Sequence, residues 1–487
     1  AKTRLGHIPA IHNPVGLGRI APELVRQIEH VRKEVTQIHK LLALFAPRCR
    51  HDPCGVLALL HRIIPVFGAT TLLEDHIIVV GNIACSEDAI PIRFKVFVND
   101  DPVIDGHSRA LKQLCSWHNT DSCNDEIGNV DVKGRRDAFC GKISVCNNLY
   151  QYKIPFTDTT EHTCDVDSTL FANDLESFAS VCRVVKGLKN ARIGAFGTRP
   201  AAFQTVRYSE KLLQTSGITV VPIDLSEIIT KAQKMDASSG AVKEKLAAIM
   251  DYGRIPKDIK KEAILKQAKL SVVLDMLMEE NELDASAIQC WNSMENNYGC
   301  ASCLSMSMMG QRYMPSACET DVTGAISMYT LLLAGNKIPA LLDWNNNYGN
   351  EPDMCVCTHC SNYPKSFVGN DIEISKLDVL GTVLDREKCF GAIKGKVAPG
   401  PMTFFRISTD DTAGRIKSYL GEGEFTDDAF GMDGGIAVCK VNQLRKLLSH
   451  ICQNGFEHHV GMARGYCAKV IHEAVSKYMK WDIYHHE

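Results

Sequence analysis

From residue 175 to 226 the chain switches back and forth between two hydrophobic periods, and few folds accept that alternation. "LESFASVCRVVKGLKN" spaces its apolar residues by three and four. "ARIGAFG" follows as a short apolar run closed by glycine, "TRPAAFQTVRYSEKLLQTSG" returns to helical spacing, and "ITVVPIDLS" is a second apolar run. Helix, strand, helix and strand at these lengths imply parallel strands joined by a crossover, and so a parallel sheet covered by helices.

The same alternation extends in both directions. "PELVRQIEHVRKEVTQIHKLLALF", "DHIIVVGN" and "IRFKVFV" mix helical and strand patterns before residue 170, and "FTDTTEHTCDVDST" is a polar break. Residues 228–287 are charged and helical, and "ASAIQCWNSM" restarts the strand pattern. After about residue 350 short strands, turns and Pro/Gly segments take over, closed by a helix near 466–479. A chain of 487 residues is too long for one core. The expected fold class is therefore α/β, with two Rossmann-like parallel-sheet domains (1–170 and 171–340) followed by a mostly β C-terminal domain (341–487).

Composition removes several classes of partner. A net charge of −3 offers no basic field for nucleic acid or anionic membrane. The longest apolar runs are broken by Arg, His and Pro, so none is expected to span a bilayer. The segment "AKTRLGHIPAIHNPVG" lacks the apolar stretch of a signal peptide. Twenty cysteines scattered through core-like segments point to reduced thiols and a cytoplasmic location. "RIGAFG" lacks G-x-G-x-x-G and no Walker A loop is present, which argues against NAD and ATP.

Two acids carry the first chemical signal. Glu319 and Asp343 flank the apolar segment "VTGAISMYTLLLA", which Thr320 or Asp321 can cap and Gly335 can end. "IPALLDW" then has the pattern of a strand. A right-handed crossover would make this strand parallel to the one before Glu319 and place both carboxylates at one sheet edge. Adjacent strands lie about 4.8 Å apart, where two carboxylates repel unless a cation lies between them. Spacing alone leaves a helix cap and a turn residue as the alternative roles. "FEHHV" adds His458 and His459, of which only one can face a site from a strand. Two oxygen ligands and one nitrogen ligand suit Mn²⁺, Mg²⁺ or Co²⁺. Cys355, Cys357, His359 and Cys360 resemble a zinc knuckle, but no second ligand pair follows at the usual distance. The better expectation has Cys355 and Cys357 on one side of a strand with His359 approaching the metal site. In "RISTDDTAGRI", Asp410 and Asp411 are expected to pair with Arg406 and Arg415.

Together "ACETDVTGAISM", "LLDWNNNYG", "HCSNYPKSF", "GPMTFFRISTDDTAGRI" and "QNGFEHHV" resemble the L-fucose isomerase and L-arabinose isomerase superfamily. "RRDAFCGKISVCNNLYQYKIPF" and "FASVCRVVKGLKNARIGAFGTRP" fit its fucose-isomerase-like bacterial branch, so the resemblance covers most of residues 130–487. It implies an aldose–ketose isomerase that moves a proton between C1 and C2 of a monosaccharide through a cis-enediol. It implies one cation, usually Mn²⁺, held by Glu319, Asp343 and His459. His459 is preferred to His458 because Gly465 lies six residues after it. The two carboxylates would also carry protons, and Gln289, Trp291, Asn345, Asn347 and His359 would line the sugar. Members are homo-oligomers, hexameric or trimer-based, that share active sites between subunits. The branch includes sulfoquinovose isomerases, for which Arg135, Arg136 and Arg199 are candidate sulfonate contacts. The rival outside catalysis is an α/β sugar-binding protein without a metal.

Overall fold

The computed structural model describes residues 138–487, except 163, 166–167, 360–361, 370, 429–430 and 432–433, together with two short strands before them. The chain divides into two compact units, residues 1–176 and 177–487. In the first unit, strands β1 (Ile78–Val80) and β2 (Ile83–Ala84) pair in parallel with β3 (Phe156–Asp158) and β4 (Cys164–Asp165), and helix α1 spans Ala138–Gln151. β1 falls inside "DHIIVVGN". The other segments expected before residue 138 lie outside the described residues, as do Arg135 and Arg136.

The second unit contains the alternating segment. Helix α2 (Thr169–Lys189) begins in the first unit, and its part in the second buries Phe178, Val181, Val185 and Leu188, one apolar stripe at spacings of three and four. β5 (Arg192–Phe196), β6 (Thr219–Ile223), β7 (Ala285–Ile288) and β8 (Ser316–Cys318) form a parallel sheet in the order β6-β5-β7-β8. Helix α3 (Glu210–Thr215) joins β5 to β6, with Ser209 as its N-cap. The long charged segment becomes α4 (Leu225–Lys234), α5 (Gly240–Tyr252) and α6 (Lys261–Glu280). Asp224 caps α4 by accepting from Ser226 N at 2.7 Å.

The rest of the unit is a larger, mostly antiparallel sheet. β9 (Pro339–Asp343), β10 (Asn346–Asn347), β11 (Met354–His359), β14 (Gly400–Asp410), β15 (Arg415–Phe425), β16 (Gly435–Lys440) and β17 (His459–Arg464) run in the order β10-β11-β16-β15-β14-β17-β9. β12 (Glu373–Lys376), β13 (Phe390–Lys396) and β18 (Asp482–His486) join this path from the side. The molecule is thus α/β, with a parallel sheet in its central region and a β-rich C-terminal part.

One expected pairing is overturned. β9 does not extend the parallel sheet beside β8 but pairs antiparallel with β17, Asp343 opposite His459. The intervening helix α7 (Val322–Gly335) packs on β5, β7 and β8 and also on β9, β14 and β17. That double contact explains its composition: "VTGAISMYTLLLAG" is apolar on every side, and nearly all of it is buried. Asn336, not Gly335, adopts the left-handed conformation that ends it, with φ of 48°. No helix among the described residues is long and apolar enough to cross a membrane.

Gly461 on β17 allows α7 to approach. A Cβ there would lie 3.2 Å from Phe405 O and 3.3 Å from Met328 N, both backbone atoms. Gly461→Ala is expected to lower stability by about 1–3 kcal/mol through overpacking, read as an earlier urea midpoint. An unchanged midpoint would show that helix and strand can separate freely.

Candidate metal centre

β8 delivers Glu319 through an unusual turn. Glu319 and Thr320 have φ of 60° and 55°, a left-handed pair built without glycine. Such residues cost about 1–3 kcal/mol each and persist only where the surroundings hold them. Here Thr320 N donates to Ile288 O at 3.1 Å and Asp321 N to Cys318 O at 3.0 Å. The turn ends as Asp321 caps α7, accepting from Gly324 N at 2.8 Å.

Asp343 arrives at the end of β9 and His459 at the start of β17, opposite each other in the sheet. Alternation along β17 turns His459 fully inward and leaves the His458 side chain 43% exposed. His459 Nε2 lies 3.3 Å from Glu319 Oε2 and 3.6 Å from Asp343 Oδ1. His359, four residues past Cys355 on the same face of β11, places Nδ1 3.2 Å from Asp343 Oδ1. The rings of His359 and His459 meet edge to face at 5.0 Å.

Asp321 fixes the orientation of the histidine. Its Oδ2 lies 2.8 Å from His459 Nδ1, which presents Nε2 to the two acids. The same carboxylate takes a bidentate pair from Arg406, at 2.6 and 3.0 Å. Arg406 also donates to Glu457 at 3.2 Å and to Thr323 at 2.8 Å. Both Arg406 and Asp321 are fully buried. The expected Asp–Arg pairing is made by Arg415, whose Nε lies 3.8 Å from Asp410 Oδ2, and not by Arg406. Four residues of extended strand separate Arg406 from Asp410 by about 13 Å, and Asp410 also accepts from Thr412 Oγ1 and Ala413 N.

The electrostatics follow from this packing. Burial raises the Asp321 carboxyl, but Arg406 and His459 outweigh it and hold it well below the usual range. Burial opposes charge on His459, yet its hydrogen bonds to Asp321 and Glu319 lift it to about 10. Burial also raises Asp343, and His359 more than compensates, so the net shift is downward. His458 is pushed down to about 4 by burial and by the neighbouring His459.

Among the described residues three sets of side chains could hold a cation, with ligand atoms within 4.8 Å of one another in each: Asp343, His359 and His459; Glu319, His458 and His459; and Cys290, Cys318 and Glu319. His459 belongs to the first two. His459 Nε2 is buried and faces a carboxylate oxygen of Glu319 at 3.3 Å and of Asp343 at 3.6 Å, two acids whose repulsion a cation among them would relieve. The donors, carboxylate oxygen and imidazole nitrogen, fit a divalent first-row metal.

The remaining expected site residues divide. Trp291 Nε1 donates to Glu319 Oε1 at 2.9 Å. Gln289 lies at the carboxyl end of β7, where its Oε1 accepts from Thr198 N at 2.9 Å. Asn345 is exposed, and its Oδ1 accepts from Thr358 N and, at 3.1 Å, Thr358 Oγ1. Asn347 is exposed and donates to Gly349 O at 2.7 Å, closing its own turn. No described contact joins either asparagine to Glu319, Asp343 or His459. Cys355 and Cys357 share the buried face of β11, their sulfurs 3.6 Å apart, and Cys360 lies outside the described residues. Asp321 in its second role, Arg406 and Glu457 are the residues that sequence reasoning missed.

Arg406→Met would strand two buried carboxylates. A loss of about 3–5 kcal/mol is expected, measured by chemical denaturation; near-native stability would mean that Asp321 and Glu457 do not depend on the guanidinium.

Comparison with known proteins agrees with this chemistry. Residues 357–486 match the family model described as L-fucose isomerase, C-terminal domain, and residues 120–189 match that described as fucose/sulfoquinovose isomerase, N-terminal domain. Sulfoquinovose isomerases of Priestia aryabhattai and Priestia megaterium (strain ATCC 12872 / QMB1551) are each 25% identical over 339 residues, covering 68% of this chain and 72% of theirs. That of Alkalicoccus urumqiensis is 25% identical over 316 residues, covering 63% and 68%. These matches support a sugar aldose–ketose isomerase and are consistent with the fucose isomerase-like superfamily.

Proposed function

We propose that Glu319, Asp343 and His459 hold one divalent cation, Mn²⁺ or else Mg²⁺ or Co²⁺, and that a sugar reacts over it. What carries this reading is the approach of His459 Nε2 to both carboxylates while Asp321 holds the opposite nitrogen. A bound cation would supply Lewis acidity to the sugar oxygens O1 and O2. Glu319 and Asp343 are the bases at hand for the proton that leaves C2 and returns at C1 by way of a cis-enediol. His459 serves as ligand only, because its other nitrogen is committed to Asp321. His359 steadies Asp343 at the same oxygen that faces His459 and stands near enough to be a further ligand.

Phe203, Trp291 and His458 form an aromatic wall beside these groups, with ring centroids 5.5 Å apart for Phe203 and Trp291 and 6.4 Å for Phe203 and His458. Such faces suit the C–H surface of a sugar. Sulfoquinovose is the substrate to test first, since the relatives over two thirds of the chain carry that name. Arg199, after the carboxyl end of β5, then becomes the candidate for the sulfonate. L-fucose, L-arabinose and D-arabinose are the alternatives. The working form is a cytoplasmic homo-oligomer with shared sites, a view supported by the resemblance.

Glu319→Gln is expected to fold and to lose turnover by about 10²–10⁴-fold across this sugar panel with Mn²⁺ present; near-wild-type turnover would remove Glu319 from the chemistry. Asp321→Asn is expected to weaken Mn²⁺ by about 10–100-fold, followed by calorimetric titration, and unchanged affinity in a folded variant would reduce Asp321 to a helix cap. Arg199→Ala is expected to raise KM for sulfoquinovose while leaving L-fucose unaffected. An equal effect on both sugars would assign Arg199 to the scaffold.

A further inference from the structure

Strands β7 and β8 end side by side, Ile288 opposite Cys318. Two residues beyond Ile288, Cys290 brings its Sγ to 2.9 Å from Cys318 Sγ, and both residues are buried. The next residue on each segment repeats the contact, since Trp291 Nε1 donates to Glu319 Oε1 at 2.9 Å. The two sulfurs and a Glu319 carboxylate oxygen all lie within 4.8 Å of one another. A thiol pair thus sits directly beneath the carboxylate of the metal centre. Two thiolates on a tetrahedral soft cation with bonds of about 2.3 Å would stand about 3.8 Å apart. The observed sulfurs are closer than that, which favours sulfur–sulfur chemistry over a second metal site.

We propose that Cys290 and Cys318 are a reversible oxidation site, converted to a disulfide by a small hydroperoxide. One sulfur, as thiolate, attacks the peroxide: an S–O bond forms, the O–O bond breaks, and the departing oxygen leaves as water or alcohol. The second thiol attacks the sulfenic sulfur, the S–S bond forms, and the sulfenic oxygen leaves as water with that thiol's proton. Two thiols lose two electrons, and the peroxide gains them.

A disulfide holds its sulfurs about 2.05 Å apart, so the pair must close by roughly 0.9 Å. The movement is transmitted to Trp291 and to Glu319, whose φ of 60° is already held by its surroundings. Oxidation therefore displaces the Glu319 carboxylate from its present position beside His459, weakens cation binding and slows turnover, and reduction restores both. This consequence for activity rests on the metal centre proposed above, whereas formation of the link does not.

The test treats the full-length protein, loaded with Mn²⁺, with hydrogen peroxide, blocks remaining thiols, and maps linked peptides by mass spectrometry. A peptide joining Cys290 to Cys318 is expected to accumulate in step with a loss of Mn²⁺ affinity and turnover of about tenfold or more, and dithiothreitol is expected to reverse all three. Cys318→Ser is expected to form no such link and to withstand the same peroxide exposure. Linkage confined to other cysteines overturns the proposal, and this result is read on wild-type protein even if the variant fails to fold. If the link forms while Mn²⁺ affinity stays constant, the control of the site is overturned. If Mn²⁺ does not bind even before oxidation, the metal centre fails instead, and the peptide map still decides whether the disulfide forms.

Discussion

The Arg406–Asp321–His459 contact is the joint on which the rest of the structure turns. Arg406 comes from the C-terminal sheet, Asp321 from the turn after the parallel sheet, and His459 from the edge of β17. A guanidinium, a carboxylate and an imidazole are all buried there, and each would be costly without the others. Their mutual hydrogen bonds tie the two sheets together with a directionality that apolar contact lacks. Positioning of the candidate ligands is a by-product of that bond geometry.

Helix α7 is the mechanical counterpart. With apolar side chains on every side it needs a partner on both faces, and the two sheets supply them. The strained pair Glu319–Thr320 stands at its N-terminus, where β8 stops. A relaxed turn there would need a glycine or a longer loop, and either would loosen the carboxylate that the site requires.

Much of this was legible in the sequence, and what was not had a physical reason. The βαβ unit around β5 and β6 was readable because its periods are local. The partner of β9 was not, since "IPALLDW" has the same pattern whether it joins β8 in parallel or β17 in antiparallel. That choice is made by side chains more than a hundred residues away. Even so, Glu319 and Asp343 come near one histidine, because a helix of fourteen residues spaces the two strand ends alike in either arrangement. Asp321 was visible only as a helix cap; its partners Arg406 and His459 are 85 and 138 residues distant. The amides of Asn345 and Asn347 are committed to their own backbone neighbourhood, which a polar run cannot reveal.

The pairing of Asp343 with His459 has a consequence for how the protein is made. The acids on either side of α7 leave the ribosome early relative to β17, so a growing chain presents carboxylates without their imidazole. On the proposed metal centre, the acids would lack their imidazole partner until β17 has paired with β9, so loading of a cation would follow completion of the large sheet. Metal retention would then separate mature molecules from nascent or arrested ones.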